Sequence, residues 1–448
     1  IQSISECMNK CPDASHDSIS LAKKLVKCEE KLMEDILQMG QLENGVHYYI
    51  RKTDLQTDLV YLVLSVKVGS FQDGFQKGIA HLLEHCNMSL EKYQRNPFSF
   101  CYRGRAYTNH YSTNYIFAFQ KEGIGDVFDR LQRLLLGEFL NPDQLSEIKQ
   151  DIRKEWQKKE ENMDYQGLKL FFEDTDYLLF LPIGKMDLVS GLSFEEVEQF
   201  FFHWYTPERM AVLLVGDVSF EWIEKIKKLK FQCGTKRKLD FLLTPVSLSG
   251  KKLPEVEKFV PKNGTFLHYF FIVEWKAQME QKQYIKENFH YDFCHDVIVK
   301  AFDSQKVYGL GKKGCQCNFF APLQELFYFS AKKETYEKGE SIGQIRAEIA
   351  SFVLNYFEEN FEKMKKEYRI ALQNYKDYID VQEMMNQCTD HYIYGNKLID
   401  CNQEKEVLSR YINEIEKTKV KNILEEILWE GAIRYVEREG GLEIDHWR

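Results

Sequence analysis

His81-Leu82-Leu83-Glu84-His85 is the stretch on which the reading of this chain turns. Two histidines four apart on a helix project from one face, so both rings can reach a single metal ion. Glu84 lies beside that face, within reach of a water polarised by the metal. The order H-x-x-E-H is the reverse of H-E-x-x-H. A lone histidine on an apolar helix is more often packed core. A pair with a Glu at this spacing reads as zinc chemistry.

Structural zinc sites are closed by four protein ligands, whereas catalytic ones use three and leave a position for water. A third ligand is therefore expected from elsewhere, a carboxylate on another helix. Asp143–Glu161 reads as a long helix after Asn141-Pro142, with Leu145, Ile148, Ile152 and Trp156 at helical spacing. Glu155 lies on it, about seventy positions beyond His85. By residue type alone it reads as a solvated charge on a Lys/Glu-rich helix.

Gly69-Ser70-Phe71-Gln72-Asp73, followed by Gly78-Ile79-Ala80 and the histidine motif, resembles the N-terminal half of the pitrilysin/insulinase family of inverzincin metallopeptidases. The third zinc ligand of that family is a downstream Glu on a helix. The resemblance therefore implies Glu155, within Lys154-Glu155-Trp156, as that ligand. Ala106-Tyr107-Thr108 matches the family's edge strand. Pro182-Ile183-Gly184, Leu192-Ser193, Tyr205-Thr206-Pro207-Glu208-Arg209-Met210 and Leu214-Val215-Gly216-Asp217 match its middle. The likeness covers about residues 40–230 and is fainter beyond.

A chain of 448 residues exceeds one ordinary core and suggests two or more units of roughly 100–200 residues each. Hydrophobic residues at 44% and charged ones at 29% mark a soluble globular protein. The net charge of −9, mixed rather than blocked, argues against nucleic acid as a partner. No apolar run approaches the roughly eighteen residues of a membrane span. No basic region leads into an apolar core at the start, so no signal peptide is read. Eleven cysteines, an odd number, fit free thiols in a reducing compartment, and cytoplasmic location is expected.

Residues 1–20 are polar and aperiodic, a loose lead-in where Cys7 and Cys11 are incidental. A helix is expected over Leu21–Met39, strands near Gly45–Arg51 and Leu59–Val68, then the metal helix after Gly78. Strands at Phe98–Tyr107 and Asn114–Gln120 and a helix at Ile124–Leu136 precede the Glu155 helix. Helical stretches at Tyr165–Phe180 and Phe194–His203 lead to strand Met210–Val215 and helix Phe220–Lys228. The polar, basic stretch from Cys233 reads as a linker over 233–255. Beyond it the succession restarts: strand Phe266–Trp275, helix Tyr284–Phe302, a Gly/Lys loop at Tyr308–Gly314 and strand Leu326–Ala331. Helices at Ile342–Asp377, Val381–Tyr394 and Lys405–Trp429 and a strand at Ala432–Glu437 complete it. The expected fold class is α+β, with two structurally similar lobes, 21–232 and 256–448. Each is an antiparallel-dominated sheet with helices packed on one face. The resemblance implies one half of a clamshell.

The chemistry expected is metal-assisted peptide hydrolysis. Zn2+ on neutral His81 and His85 and ionised Glu155 keeps net positive charge and acidifies its water. Glu84 takes a proton as that water attacks a carbonyl and passes it to the leaving amine. The edge strand Arg105-Ala106-Tyr107-Thr108 is the substrate-binding candidate, because unpaired backbone groups can pair with an extended peptide and its family counterpart does so. The family has Asn where Arg105 stands, which either favours an acidic residue near the cut or leaves a surface arginine.

Two further departures bear on partners. Ile148 stands seven before Glu155, where many members have an acidic residue, with Glu147 one place off. Anchored on Lys313-Gly314, the Arg/Tyr pair that self-sufficient members use to grip substrate falls on Leu310 and Cys317. The resemblance thus implies a zinc-bearing subunit whose partner, a second family member, supplies that pair: a heterodimer ahead of a homodimer. The preferred reading is an endopeptidase for short or unfolded peptides in an enclosed chamber, with maturation of a ribosomally made peptide as a role by analogy. The rival is a catalytically idle peptide-binding or assembly subunit, against which the intact His81, Glu84, His85 and Glu155 argue. Cys86 reads as packing, Cys315-x-Cys317 as too few ligands for a second metal, and His290 and His295 as solvated helix positions.

Overall fold

Leu59–Val66 (LVYLVLSV) and Met210–Gly216 (MAVLLVG) are apolar on both faces, which only a strand covered on both sides can satisfy. They form the centre of the larger sheet. The computed structural model describes residues 37–53, 59–93, 102–172, 175–231, 265–333, 341–373, 381–399, 401–429 and 432–435. The expected lead-in and linker lie outside these residues.

Strands β1 (Leu37–Gln41), β2 (His47–Lys52), β3 (Leu59–Val66), β4 (Tyr102–Thr108), β5 (Thr113–Gln120) and β6 (Met210–Gly216) form one sheet. Its order is β1-β2-β6-β3-β5-β4, which leaves β4 at an edge. Only β2 and β6 run parallel; the other neighbours are antiparallel. Strands β7 (Thr265–Glu274), β8 (Tyr308–Ala321), β9 (Gln324–Lys333) and β10 (Ala432–Tyr435) form a second, wholly antiparallel sheet ordered β10-β7-β9-β8. That is the β6-β3-β5-β4 order over again, so the restart in the sequence has a counterpart in topology.

Helices α1 (Ile79–Tyr93), α2 (Ile124–Leu135), α3 (Leu145–Glu160), α4 (Met163–Phe171), α5 (Asp176–Leu179), α6 (Met186–Gly191), α7 (Phe194–Trp204) and α8 (Ile223–Lys227) belong to the first half. The second half has α9 (Gln281–Asp303), α10 (Ile342–Gln373), α11 (Val381–Tyr394), α12 (Cys401–Glu414) and α13 (Lys417–Trp429). Strand alternation sends Val60, Leu62 and Leu64 to one side of β3, where they join Leu82, Leu83, Leu131 and Ile152 in a single core. Tyr61 and Val63 go to the other side, with Leu213 and Val215. There α11 covers them through Met384, Met385 and Cys388. In return, Phe270 and Tyr328 of the second sheet pack on Phe171, Phe172 and Tyr177. Arg51 Nη1 adds a 2.8 Å hydrogen bond to Gln387 Oε1 across the first of these seams.

Four expected elements differ, the first being Tyr165–Phe180, which is two helices, α4 and α5. The end of the helix expected over Leu21–Met39 is strand β1; its earlier residues are not described. Tyr308–Gly314 is the opening of β8, not a loop. Its pairing with β9 shifts register between Leu310 and Cys315, and Gly314 adopts φ +65°, so a bulge accommodates the glycine-rich run. Lys405–Trp429 is two helices, α12 and α13. No helix among the described residues is long and apolar enough to cross a membrane.

Candidate metal centre

The metal helix is fixed at its start by Asp73. Its Oδ2 accepts the Gly78 N–H at 2.7 Å and its Oδ1 the Ala80 N–H at 3.0 Å, satisfying donors left open at the start of α1. Gly78 and Gly184 meet here, both at positive φ. A Cβ on Gly184 would stand 2.6 Å from the Gly78 Cα, so the loop can close on the helix only with glycine in place. This gives the Pro182-Ile183-Gly184 match a physical reason. Leu82, Leu83 and Cys86 face the core. Behind them Asn87 Nδ2 donates to the Tyr115 hydroxyl at 2.9 Å, and Arg130 Nη2 to the Asn87 carbonyl at 2.7 Å.

With that face buried, His81, Glu84 and His85 turn toward α3 and β4. His81 Nε2 lies 3.2 Å from His85 Nε2; Glu155 Oε2 lies 3.6 Å from the first and 3.4 Å from the second. Ligands held about 2.0–2.1 Å from a tetrahedral zinc ion stand about 3.3 Å apart. The three donor atoms therefore have the spacing of three corners of such a site. They are the one group of metal-ligating type found among the described residues.

Electrostatics fit the same purpose. Burial, with His85 beside it, drives the His81 imidazole down to about 3, so it stays neutral and free to ligate. Burial opposes charge on Glu155, but the His85 and His81 rings and the Lys159 ammonium, 2.8 Å from Oε1, outweigh it. The Glu155 carboxyl is held well below the usual carboxylate range. Glu84 sits 3.9 Å from His81 Nε2, and burial pushes its carboxyl up against the opposing pull of His85 and Thr108. Thr108 Oγ1 donates to Glu84 Oε2 at 2.9 Å.

Strand alternation then orders the edge strand. Thr108 reaches Glu84, so Ala106 shares that side, while Arg105 and Tyr107 face the other. Both are exposed, and Arg105 does not point at the histidines. Ile148 lies in the core, and His81 Nδ1 is buried with no partner among the described residues. Leu310 packs against the second core, and the Cys317 thiol donates to Glu325 Oε2 at 3.0 Å. His290, expected in solvent, is fully buried with Nε2 2.7 Å from the Tyr411 hydroxyl, because α9 is covered by other helices on that side. His295 is half-buried and bonded to Asp296 and the Cys315 carbonyl rather than solvated. Sequence reasoning missed Asp73 and Lys159. The second was readable as an i,i+4 pair with Glu155; the first required knowing where α1 begins.

Residues 49–175 match the sequence model of Insulinase (Peptidase family M16). Over 252 residues the chain is 27% identical to a Haemophilus influenzae protein named "Probable zinc protease PqqL", a match taking in 49% of this chain and 27% of that one. It is 23% identical over 239 residues to zinc protease PqqE of Helicobacter pylori, covering 51% of this chain and 54% of the other. The chain thus spans about half or less of the length of these relatives. The fold is similar to that of the first half of the periplasmic protease PqqL from Escherichia coli. There the TM-score is 0.66 at 16% identity, over 90% of this chain and 92% of that one.

Proposed function

Because the chain carries an insulinase (Peptidase family M16) domain, we propose that it is a zinc-dependent endopeptidase whose metal is held by His81, His85 and Glu155. The observation that carries this reading is the spacing of 3.2, 3.4 and 3.6 Å among the three donor atoms. A zinc ion there supplies Lewis acidity toward a water molecule and a peptide carbonyl. The protein does the rest. Glu84, buried and raised, accepts a proton at its carboxylate and returns it to the leaving amine, while the Thr108 hydroxyl keeps Oε2 oriented. The free edge of β4 aligns an extended substrate by backbone pairing.

The chain has nearly the extent of one half of the Escherichia coli protease, and Leu310 and Cys317 are both engaged inside the second lobe. These facts support a zinc-bearing subunit completed by a second family member that brings the Arg/Tyr pair and closes the chamber. Cys86, Cys294, Cys315, Cys317 and Cys388 are free thiols, which suits the cytoplasmic site of action we propose. Maturation of a ribosomally made peptide remains part of the proposal. The test is zinc-reconstituted protein, wild type and Glu84→Gln, assayed on a peptide library with and without the candidate partner. Cleavage by the wild type that disappears in the variant with zinc retained supports the reading. Unchanged cleavage by the variant removes Glu84 from its role. Full turnover by the isolated chain removes the partner.

A further inference from the structure

A cavity of about 780 Å³ lies in the second half, bounded by α9, α11, α12 and β8. Six carboxylates line it, those of Asp292, Asp296, Glu325, Glu383, Asp390 and Glu404. The basic groups on its wall are Lys397 and His295. His295 is already committed, with Nδ1 3.1 Å from Asp296 Oδ1 and Nε2 3.0 Å from the Cys315 carbonyl. Acidic groups therefore outnumber basic ones on its wall. Asn396 points independently to a guest. Its side chain lines the same cavity, the residue is 8% exposed, and its buried Oδ1 accepts no hydrogen bond from any described residue. An orphaned acceptor among carboxylates calls for a ligand with several N–H donors.

The cavity also reaches the edge strand, because Tyr107 of β4 and Asn109 just beyond it form part of its wall. A peptide paired to the free edge of β4 sends its side chains alternately to the two sides of the sheet. One set shares the side of Ala106 and Thr108, where Glu84 lies. The other shares the side of Tyr107, and so faces the cavity. We propose that this cavity is the subsite for a basic side chain of the bound peptide, arginine or lysine, held by Asp390 and Glu404 with Asn396. The inference rests on the peptidase reading and names its substrate class. It runs opposite to the acidic preference expected from Arg105, which is exposed and is not part of the cavity wall. Burial and the neighbouring Glu383 and Glu325 push Asp390 up to about 7, and an entering cation would relieve that crowding.

The test uses the full chain as the zinc-loaded Glu84→Gln protein, so that binding is read without turnover. Fluorescence anisotropy compares peptides that differ only in arginine against citrulline, its neutral isostere. The arginine peptide is expected to bind about 10-fold more tightly, a gap that Asp390→Asn and Glu404→Gln each narrow to about 3-fold or less. Circular dichroism establishes that each variant is folded. Equal affinity for the two peptides, or an undiminished gap in both folded variants, overturns the subsite and leaves the peptidase reading standing. Failure of every peptide of either kind to bind overturns both.

Discussion

In the proposed reaction Glu84 moves the proton, yet it is not among the three donors grouped for the metal, which separates two measurements on one residue. Glu84→Gln should retain zinc while peptide cleavage falls by about 10²–10⁴-fold, checked by metal analysis and peptide assay together. Thr108→Val removes the hydroxyl that donates to Glu84 Oε2 and leaves the strand its shape. The expected result is a fall of about 10-fold in kcat with KM little changed, the equivalent of about 1.4 kcal/mol. Asp73→Ala leaves the Gly78 and Ala80 N–H groups without an acceptor and should cost about 1–2 kcal/mol in chemical denaturation. At this scale the sequence was most informative. His81, His85 and Glu84 were readable because helical spacing alone puts them on neighbouring faces. Glu155 was readable only with the family pattern, since a Glu on a Lys/Glu-rich helix has no distinguishing local signal. The role of Thr108 was not readable, because its partner Glu84 is 24 residues away and reached across the gap between strand and helix.

Helix α11 forms one of the two seams between the halves, seated through Met385 and Cys388 on the outer face of the first sheet. Met385 is 1% exposed, and Met385→Ala should cost about 2–5 kcal/mol, read as a drop in the midpoint of urea unfolding. A loss below about 0.5 kcal/mol would mean the seam contributes little. The bounds of α11, Val381–Tyr394, agree with those expected from apolar periodicity. Its destination was not legible, because periodicity identifies an apolar face but not the surface it meets. β8 shows the converse. Gly309, Gly311 and Gly314 favoured a loop, yet pairing with β9 and one bulge outweighed local composition.

Across the whole molecule, one consequence of the acidic cavity is a pH dependence of stability. Burial, with Glu383 and Glu325 nearby, raises Asp390 to about 7, whereas carboxylates of an unfolded chain titrate near 3.9. Between about pH 4 and 7 the folded state holds a proton that the unfolded state has released, so stability falls as pH climbs through that window. The melting temperature should drop by roughly 2–4 °C between pH 6 and 9, and Asp390→Asn should flatten the slope. A flat profile in the wild type would contradict the account of the cavity. The two-sheet repeat was foreshadowed by the restarting succession of strands and helices. The cavity was not, because its carboxylates come from three helices and one strand far apart in the chain. The whole account returns to the grip formed by His81, His85 and Glu155, and metal content after dialysis against limiting zinc tests it most directly. The wild type should hold about one zinc ion per chain and Glu155→Gln less than about a tenth of that. Equal zinc in the two proteins would contradict it.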